Sequence, residues 1–433
     1  MTAPATLALL DFAAATHVLP DQVTADTLRL LADTLLVGAA GSTAPGAAAV
    51  RATAQTWGRG EDARVICQSG RYPAAAAAYV NCFQIHCLEW DAVHEAAVVH
   101  AMTAVTAALG AVIDRRGGCD PDDALMALAV GVDIAAGLGI AADTGLRFFR
   151  PATAGLIGAA LAVARIEGLS RAQCADVLGL AYSHVSGTMQ AHSEGSIALP
   201  LQLAEAARAA VHVVDLVRNG LTGPHDPLEG EYGYFTLFER GDLARYTNTI
   251  GSMWRISEIS TKPYPSGRAS HATLGALADI RASGGGEIAR VKAHVPSLIN
   301  QLVGRPMRSD MTPAYARLCL PLLAALMLRD GRIDPRRFVA ETYADPIICE
   351  LANKVQVVID VNPAPNALSP QRLEVEYADG KVVEIQVPDT LGSPNAPMSS
   401  AQLAAKRELA MLLAGDTDPR LFHDPLAYFT VPQ

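Results

Sequence analysis

Three of the eleven histidines in this chain fall within HCLEWDAVHEAAVVH, residues 86–100, together with Glu89, Asp91 and Glu95. Histidine changes charge near neutrality, and a carboxylate beside it orients the ring and stabilises the imidazolium, so this run is material for general acid–base chemistry. Read as helix, it places Asp91 and His94 on one face, a turn apart. The competing reading is a helix with ordinary surface charges. A metal centre is the weaker reading: from His94 to His100 is six residues, not the four of HExxH, so the two leave a shared face and no metal ligand is assigned.

A second polar run, TKPYPSGRASH at residues 261–271, contains two prolines and a glycine and reads as a loop. It gathers Lys262, Tyr264, Ser266, Arg268 and His271, cations and hydroxyls suited to holding a carboxylate and delivering a proton. A proline-rich linker with incidental polar residues is the competing reading. A third stretch, SGTMQAHSEGSIALP with LTGPHDPLEGEYGYF, offers glycines for tight turns, and the amides around Gly195 and Ser196 could open an anion-binding helix start. Arg150 is an isolated cation among apolar residues; a buried salt bridge is its plainest explanation. The other histidines, His192 among them, have no companions at useful spacing and read as structural. Nucleotide-binding and nucleophile-elbow motifs (GxGxxG after a strand, GxxxxGK[ST], GxSxG) are absent, so no nucleotide cofactor is expected.

The elements that must position these runs follow from periodicity. Helices are expected over 25–37 (ended by Gly38), 74–88, 102–114, 121–140, 154–167, 171–180 (capped by Ser170) and 199–219. Several are apolar on more than one face, as in a large bundle. After Lys262 the text turns to valine- and isoleucine-rich strands at 290–295, 354–360 and 372–377, with helices at 314–328 and 334–339. The run RLEVEYADGKVVEIQV is a hairpin. A Gly/Pro/Ser-rich connector then leads to a helix over 401–414, capped by Ser399 or Ser400. The expected fold is mainly α: a large all-helical domain (1–260, completed by 395–433) with a smaller α+β lid (261–394) inserted near the C-terminal third. Gly267 and Gly392 are the expected flexing points of that lid.

Half of the 433 residues are hydrophobic and 18% charged, and acidic residues outnumber basic ones 44 to 34. That composition argues against disorder and, without a Lys/Arg run, against nucleic acid as a partner. The seven scattered cysteines form no CxxC pair and read as buried thiols of a reducing compartment. The N-terminal apolar stretch lacks a basic start and is broken by Asp11, which suits a first helix better than a secretory signal. The most apolar window, 124–142, carries Asp133 and glycines and reads as a core helix rather than a membrane span. A cytoplasmic protein without membrane partner is the expectation.

Ordered runs along nearly the whole chain resemble the MmgE/PrpD family: NCFQIHCLEWDAVHEAAVVHAMTAV, RPATAGLIGAALAVARIEGLS, SEGS, GLTGPHDPLEGEYGYF, KPYPSGRASHATLGAL and GSPNAPMSSAQLAAKRELA. The family includes 2-methylcitrate dehydratases, cis-aconitate decarboxylases and iminodisuccinate epimerases. The resemblance implies a homodimer, an active site between a helical domain and a lid, no cofactor, and proton transfer next to a carboxylate of a small acid. By similarity, Asp91 and His100 match the family's first site motif, and Lys262 and His271 the ends of its KPYP motif. Three departures argue against methylcitrate, citrate or cis-aconitate as substrate. Residues 198–202 lack the Thr-Lys and Leu-His pairs of many members, Arg150 stands near a usual histidine, and Asp91-Ala92-Val93 replaces a DDT-like triplet.

These readings predict a lyase of dehydratase type that abstracts a proton α to a carboxylate. His100, His271 and Asp91 are its expected catalytic residues. Lys262, Tyr264, Ser266, Arg268, His94, Glu89 and Arg150 are expected around the substrate, with Arg150 replacing a missing cation. An epimerase of a dicarboxylate on the same site is the alternative, and a non-catalytic binder of a metabolite or protein the second.

Overall fold

The computed structural model describes residues 3–360, 362 and 364–432. The alanine-rich text becomes the helices Ala74–His86, Ala101–Arg115, Pro121–Ala141, Arg150–Ile166 and Ala198–Arg218, which pack on one another as the centre of a helical unit. Small residues set their spacing. A Cβ built on Gly158 would stand 2.3 Å from the carbonyl oxygen of Gly131, so two of these helices meet backbone to backbone. Pro121–Ala141 is long and apolar enough to cross a membrane by composition, yet 94% of its most apolar window is buried inside the protein. Its Asp133 accepts hydrogen bonds from the Tyr246 hydroxyl and the Arg255 amide, both at 2.7 Å, so this is a core helix whose buried charge is satisfied.

Helix ends differ from expectation where tertiary packing decides them. The helix expected to stop at Gly38 runs from Asp21 to Gly41. Gly38 and Gly41 are there for close approach: a Cβ on Gly41 would lie 1.9 Å from the Gln84 carbonyl oxygen in the helix Ala74–His86. Gly41→Ala should therefore destabilise the protein by about 1–3 kcal/mol despite alanine's better helix propensity, read as a lower denaturant midpoint at unchanged slope. The helix expected over 314–328 splits into Pro313–Ala316 and Leu320–Asp330. Pro321 has no N–H to donate and its ring clashes with the preceding turn, so the helix restarts around it. Residues 334–339 hold only the short 3₁₀ turn Pro335–Arg337. Capping was better legible: Ser170 with Gln173, and Ser399 with Gln402, each form a capping box.

The C-terminal region carries, among the described residues, a four-stranded sheet in the order Val355–Ile359, Ile288–Val295, Gln371–Tyr377, Val382–Val387. The first pair is parallel and the others antiparallel. Alternate residues Val291, Ala293, Leu373 and Val375 are fully buried; Val291, Leu373 and Val375 join a core that includes Leu323, Leu326 and Leu274. The chain then returns to the helical unit. Ser400–Leu413 packs on Asp21–Gly41, with Lys406 Nζ 2.5 Å from Asp33. The fold is mainly α, with a small mixed sheet in its C-terminal region.

Candidate active site

Residues 87–100 are not helical. The helix Ala74–His86 ends, and Glu89 and Val98 take left-handed backbone conformations (φ 54° and 53°) that side-chain-bearing residues rarely adopt. Between them Val93–His94 pairs with Ile259–Ser260 as two short antiparallel strands, and His100 stands immediately before the helix Ala101–Arg115. The expected pairing of Asp91 with His94 on one helical face is therefore not formed. His94 turns away: its Nε2 lies 2.8 Å from Glu258, and its Nδ1 accepts from the Ala97 amide.

Asp91 is instead the buried hub between His86 and His100. Its carboxylate accepts from His86 Nδ1 at 3.0 and 3.1 Å and from the Thr103 hydroxyl at 2.5 Å, and lies 3.0 Å from His100 Nδ1. His100 Nδ1 also lies 3.1 Å from the Ala92 carbonyl. Neither neighbour can donate, so Nδ1 carries the hydrogen and Nε2 keeps its lone pair. The two imidazoles stand edge to face with centroids 4.8 Å apart. His86 Nε2 is 3.3 Å from Glu89, while Lys262 Nζ donates to the Glu89 carbonyl at 2.8 Å and lies 3.3 Å from its carboxylate and 4.0 Å from Asp91.

Burial opposes every charge in this cluster, and the partners decide the outcome. Burial alone would raise the Glu89 carboxyl, but His86 and Lys262 outweigh it and hold it down to about 2. Against the same burial, His100 and His86 hold Asp91 well below the usual carboxylate range. His86, buried but flanked by Asp91 and Glu89, is pushed above the ordinary imidazole value. His100 is pushed below it, by burial and by Lys262, against the pull of Asp91. Within the cluster His86 is thus the imidazole biased toward its charged form, and His100 the one biased toward its neutral form. His86, Glu89 and His100 bring ligand atoms within 4.8 Å of one another, close enough for a metal ion. The Lys262 ammonium, however, already occupies the carboxylate side of that triangle.

The second polar run packs directly on the first. Arg268 lies 2.7 and 2.9 Å from the Glu95 carboxylate and donates to the Leu391 and Thr390 carbonyls. Ser260 donates to Glu95 at 2.5 Å, and Trp90 Nε1 to the Pro263 carbonyl. Lys262 and Arg268 thus face carboxylates of the protein itself. His271 lies apart from His100: its Nε2 is 3.1 Å from the Ser266 hydroxyl, its ring packs edge-on against Tyr264, and burial and Arg268 hold it well below its ordinary pKa. The glycines expected to flex are contact points. A Cβ would meet Leu318 at 2.7 Å from Gly267 and the Thr261 carbonyl at 2.0 Å from Gly392.

Beside His100 opens a cleft lined by Glu89, His100, Arg150, His192, Arg268 and a majority of apolar side chains, including Val98, Phe149, Met189, Leu199, Val303 and Leu368. His271, Ser266, Tyr264, Lys262, Asp91 and His94 are not on this lining. Arg150 is, but its guanidinium is fully buried against Glu239 at 2.6 Å and donates to the Thr144 carbonyl, so it forms the salt bridge and not a free cation. His192, expected to be structural, is on the lining. Burial and Arg305, 3.3 Å from its Nδ1, push it down to about 4, so it faces the cleft neutral. The amides of Gly195 and Ser196 are spent on the His192 and Ala191 carbonyls and are not open to an anion. His86 and His192 are the site residues that sequence reasoning left out. His86 had a signal, its place in the dense run; His192 had only its nearness to SEGS.

Comparison with known proteins gives the same result from both halves of the chain. The model of the MmgE/PrpD N-terminal domain matches residues 8–247, and that of the MmgE/PrpD C-terminal domain matches residues 264–417. Human cis-aconitate decarboxylase is 26% identical over 371 residues, covering 80% of this chain and 75% of the relative. The mouse cis-aconitate decarboxylase is 26% identical over 66% of this chain and 61% of its own length. The cis-aconitate decarboxylase-like protein oryM of Aspergillus oryzae is 25% identical over 85% of this chain and 83% of its own.

Proposed function

Because the chain belongs to the MmgE/PrpD family, we propose that it is a lyase of the dehydratase or decarboxylase type, acting without a cofactor on a small carboxylic acid by moving a proton at the carbon next to a carboxylate. The observation that carries this reading is the open Nε2 of His100. It belongs to a neutral imidazole at the cleft wall, with Nδ1 fixed by Asp91 and the Ala92 carbonyl. A general base needs a lone pair aimed at the substrate and a counter-charge waiting behind it, and Asp91 supplies the second. When His100 takes the proton, the imidazolium forms against a carboxylate already ionised. The apolar walls exclude water, so charge developing on the substrate is felt by few, fixed partners.

The activity for which these relatives are named, decarboxylation of cis-aconitate, falls in the same class. Epimerisation would need a second proton carrier facing His100; His271 is off the cleft lining, and His192 is the imidazole on it that could take that part. Proton NMR in D₂O, with EDTA present, tests the reading on methylcitrate, citrate, cis-aconitate, tartrate, malate and iminodisuccinate. New vinyl signals are expected with at least one, accompanied by bicarbonate if carbon dioxide is lost. Exchange of a C–H for deuterium with no new compound would make the protein an epimerase instead. Silence from folded protein would overturn the enzymatic reading.

A further inference from the structure

The cations expected to hold a substrate carboxylate are all engaged: Lys262 with Glu89, Arg268 with Glu95, Arg150 with Glu239. Arg317 is not. It is 4% exposed, and its Nε has no hydrogen-bond partner. Among the described residues no carboxylate forms an ion pair with it, and its aromatic neighbour, the Phe338 ring, is 6.0 Å away. Burial pushes the guanidinium below its usual range, against the weaker pull of Cys87, Glu89 and Tyr343. Arg317 lines a small chamber with His86, Glu89, Ser196, Leu199 and Leu318. Glu89, Leu199 and Leu318 also line the main cleft, so the chamber is its inner extension. The facing Glu89 carboxylate is already held by His86 and Lys262.

A desolvated guanidinium with five donors and no anion is costly to keep unless something planar and negative arrives to occupy it. We infer that Arg317 is the receptor for a carboxylate of the substrate, at the inner end of the cleft beyond His100. The inference rests on the proposed lyase reading for the identity of the ligand, but not for the existence of the anion site. It makes Arg317 a substrate-binding residue. It also places the recognising charge on the segment between Pro313–Ala316 and Leu320–Asp330, across from the helix that carries Leu199.

The test uses the full chain with succinate as probe and succinamide as its uncharged isostere, read by thermal shift and calorimetry. Wild type should bind succinate and ignore succinamide. Arg317→Met should bind succinate at least about tenfold more weakly, the loss expected for a charge-assisted hydrogen bond. Ligand-free, it should melt at the same temperature as wild type or higher, because an uncompensated buried charge has been removed. Arg317→Lys should recover part of the binding. Unchanged affinity in Arg317→Met, a clear fall in its ligand-free melting temperature, or no succinate binding by wild type would each overturn the assignment. Binding that depends on Arg317, combined with silence in the NMR panel, would keep the anion site and remove the lyase reading.

Discussion

His100→Gln should lower turnover by about 10²–10⁴-fold, the usual contribution of a positioned general base, while the melting temperature stays within a few degrees of wild type. Glutamine can still donate from its amide toward the Ala92 carbonyl and Asp91, so the loop keeps its anchor and loses only the basic nitrogen. A large fall in melting temperature with activity retained would make His100 structural. The pH profile gives a second readout. His100 is pushed below the ordinary imidazole value and His86 above it. Wild-type kcat/KM should therefore rise with pH as His100 loses its proton and fall at higher pH as the cluster of His86, Asp91, Glu89 and Lys262 loses one. Both limbs belong to the coupled cluster, not to either ring alone. In His100→Gln the rising limb should disappear.

Asp91→Asn should be the more damaging change, costing about 3–5 kcal/mol of stability as well as most of the activity. The carboxylate accepts from His86 and Thr103, lies against His100 Nδ1, and is within ion-pair distance of Lys262. Asparagine would turn an N–H₂ toward at least one donor and leave His86 and Lys262 sharing Glu89. The His100 tautomer would no longer be fixed by charge, which removes the base even where the fold survives. Acid unfolding checks the same cluster. The Glu89 carboxyl is lowered from about 4.5 to about 2, and Asp91 is lowered as well. Their stabilisation is complete above the unfolded carboxylate range and fades as pH falls through it toward 2. Asp91→Asn should flatten that acid limb; a stability curve parallel to wild type would remove Asp91 as the hub.

Much of this was legible in the chain because composition and periodicity report directly on burial. The helices, the hairpin and the return of helix after residue 395 follow from repeating apolar positions, and the two polar runs stood out against apolar text. What was not legible depends on contacts distant in sequence. Gly38 read as a helix stop because its neighbours Ile66 and Ile85 could not be seen. Asp91 was matched to His94 because helical spacing was assumed; left-handed Glu89 and Val98, neither of them glycine, send it to His86 and His100 instead. Arg150 reads from sequence both as a buried salt bridge and as a replacement for a missing cation, and only Glu239, distant in the chain, decides for the salt bridge. Arg317 carries no local signal at all, since what distinguishes it is a missing partner.

The ties between the two polar runs join residues far apart in the chain: 173 positions separate Lys262 from Glu89, and as many separate Arg268 from Glu95. Pairing across such a span must await closure of a long loop, whereas the helices around it need only local contacts. A chain caught partway through folding therefore holds most of its helix content but no fixed base. Its carboxylates are still hydrated and its histidines still lack their partners. Chemistry in this protein is a property of the completed chain, and no early collapsed state can carry out a weaker version of it.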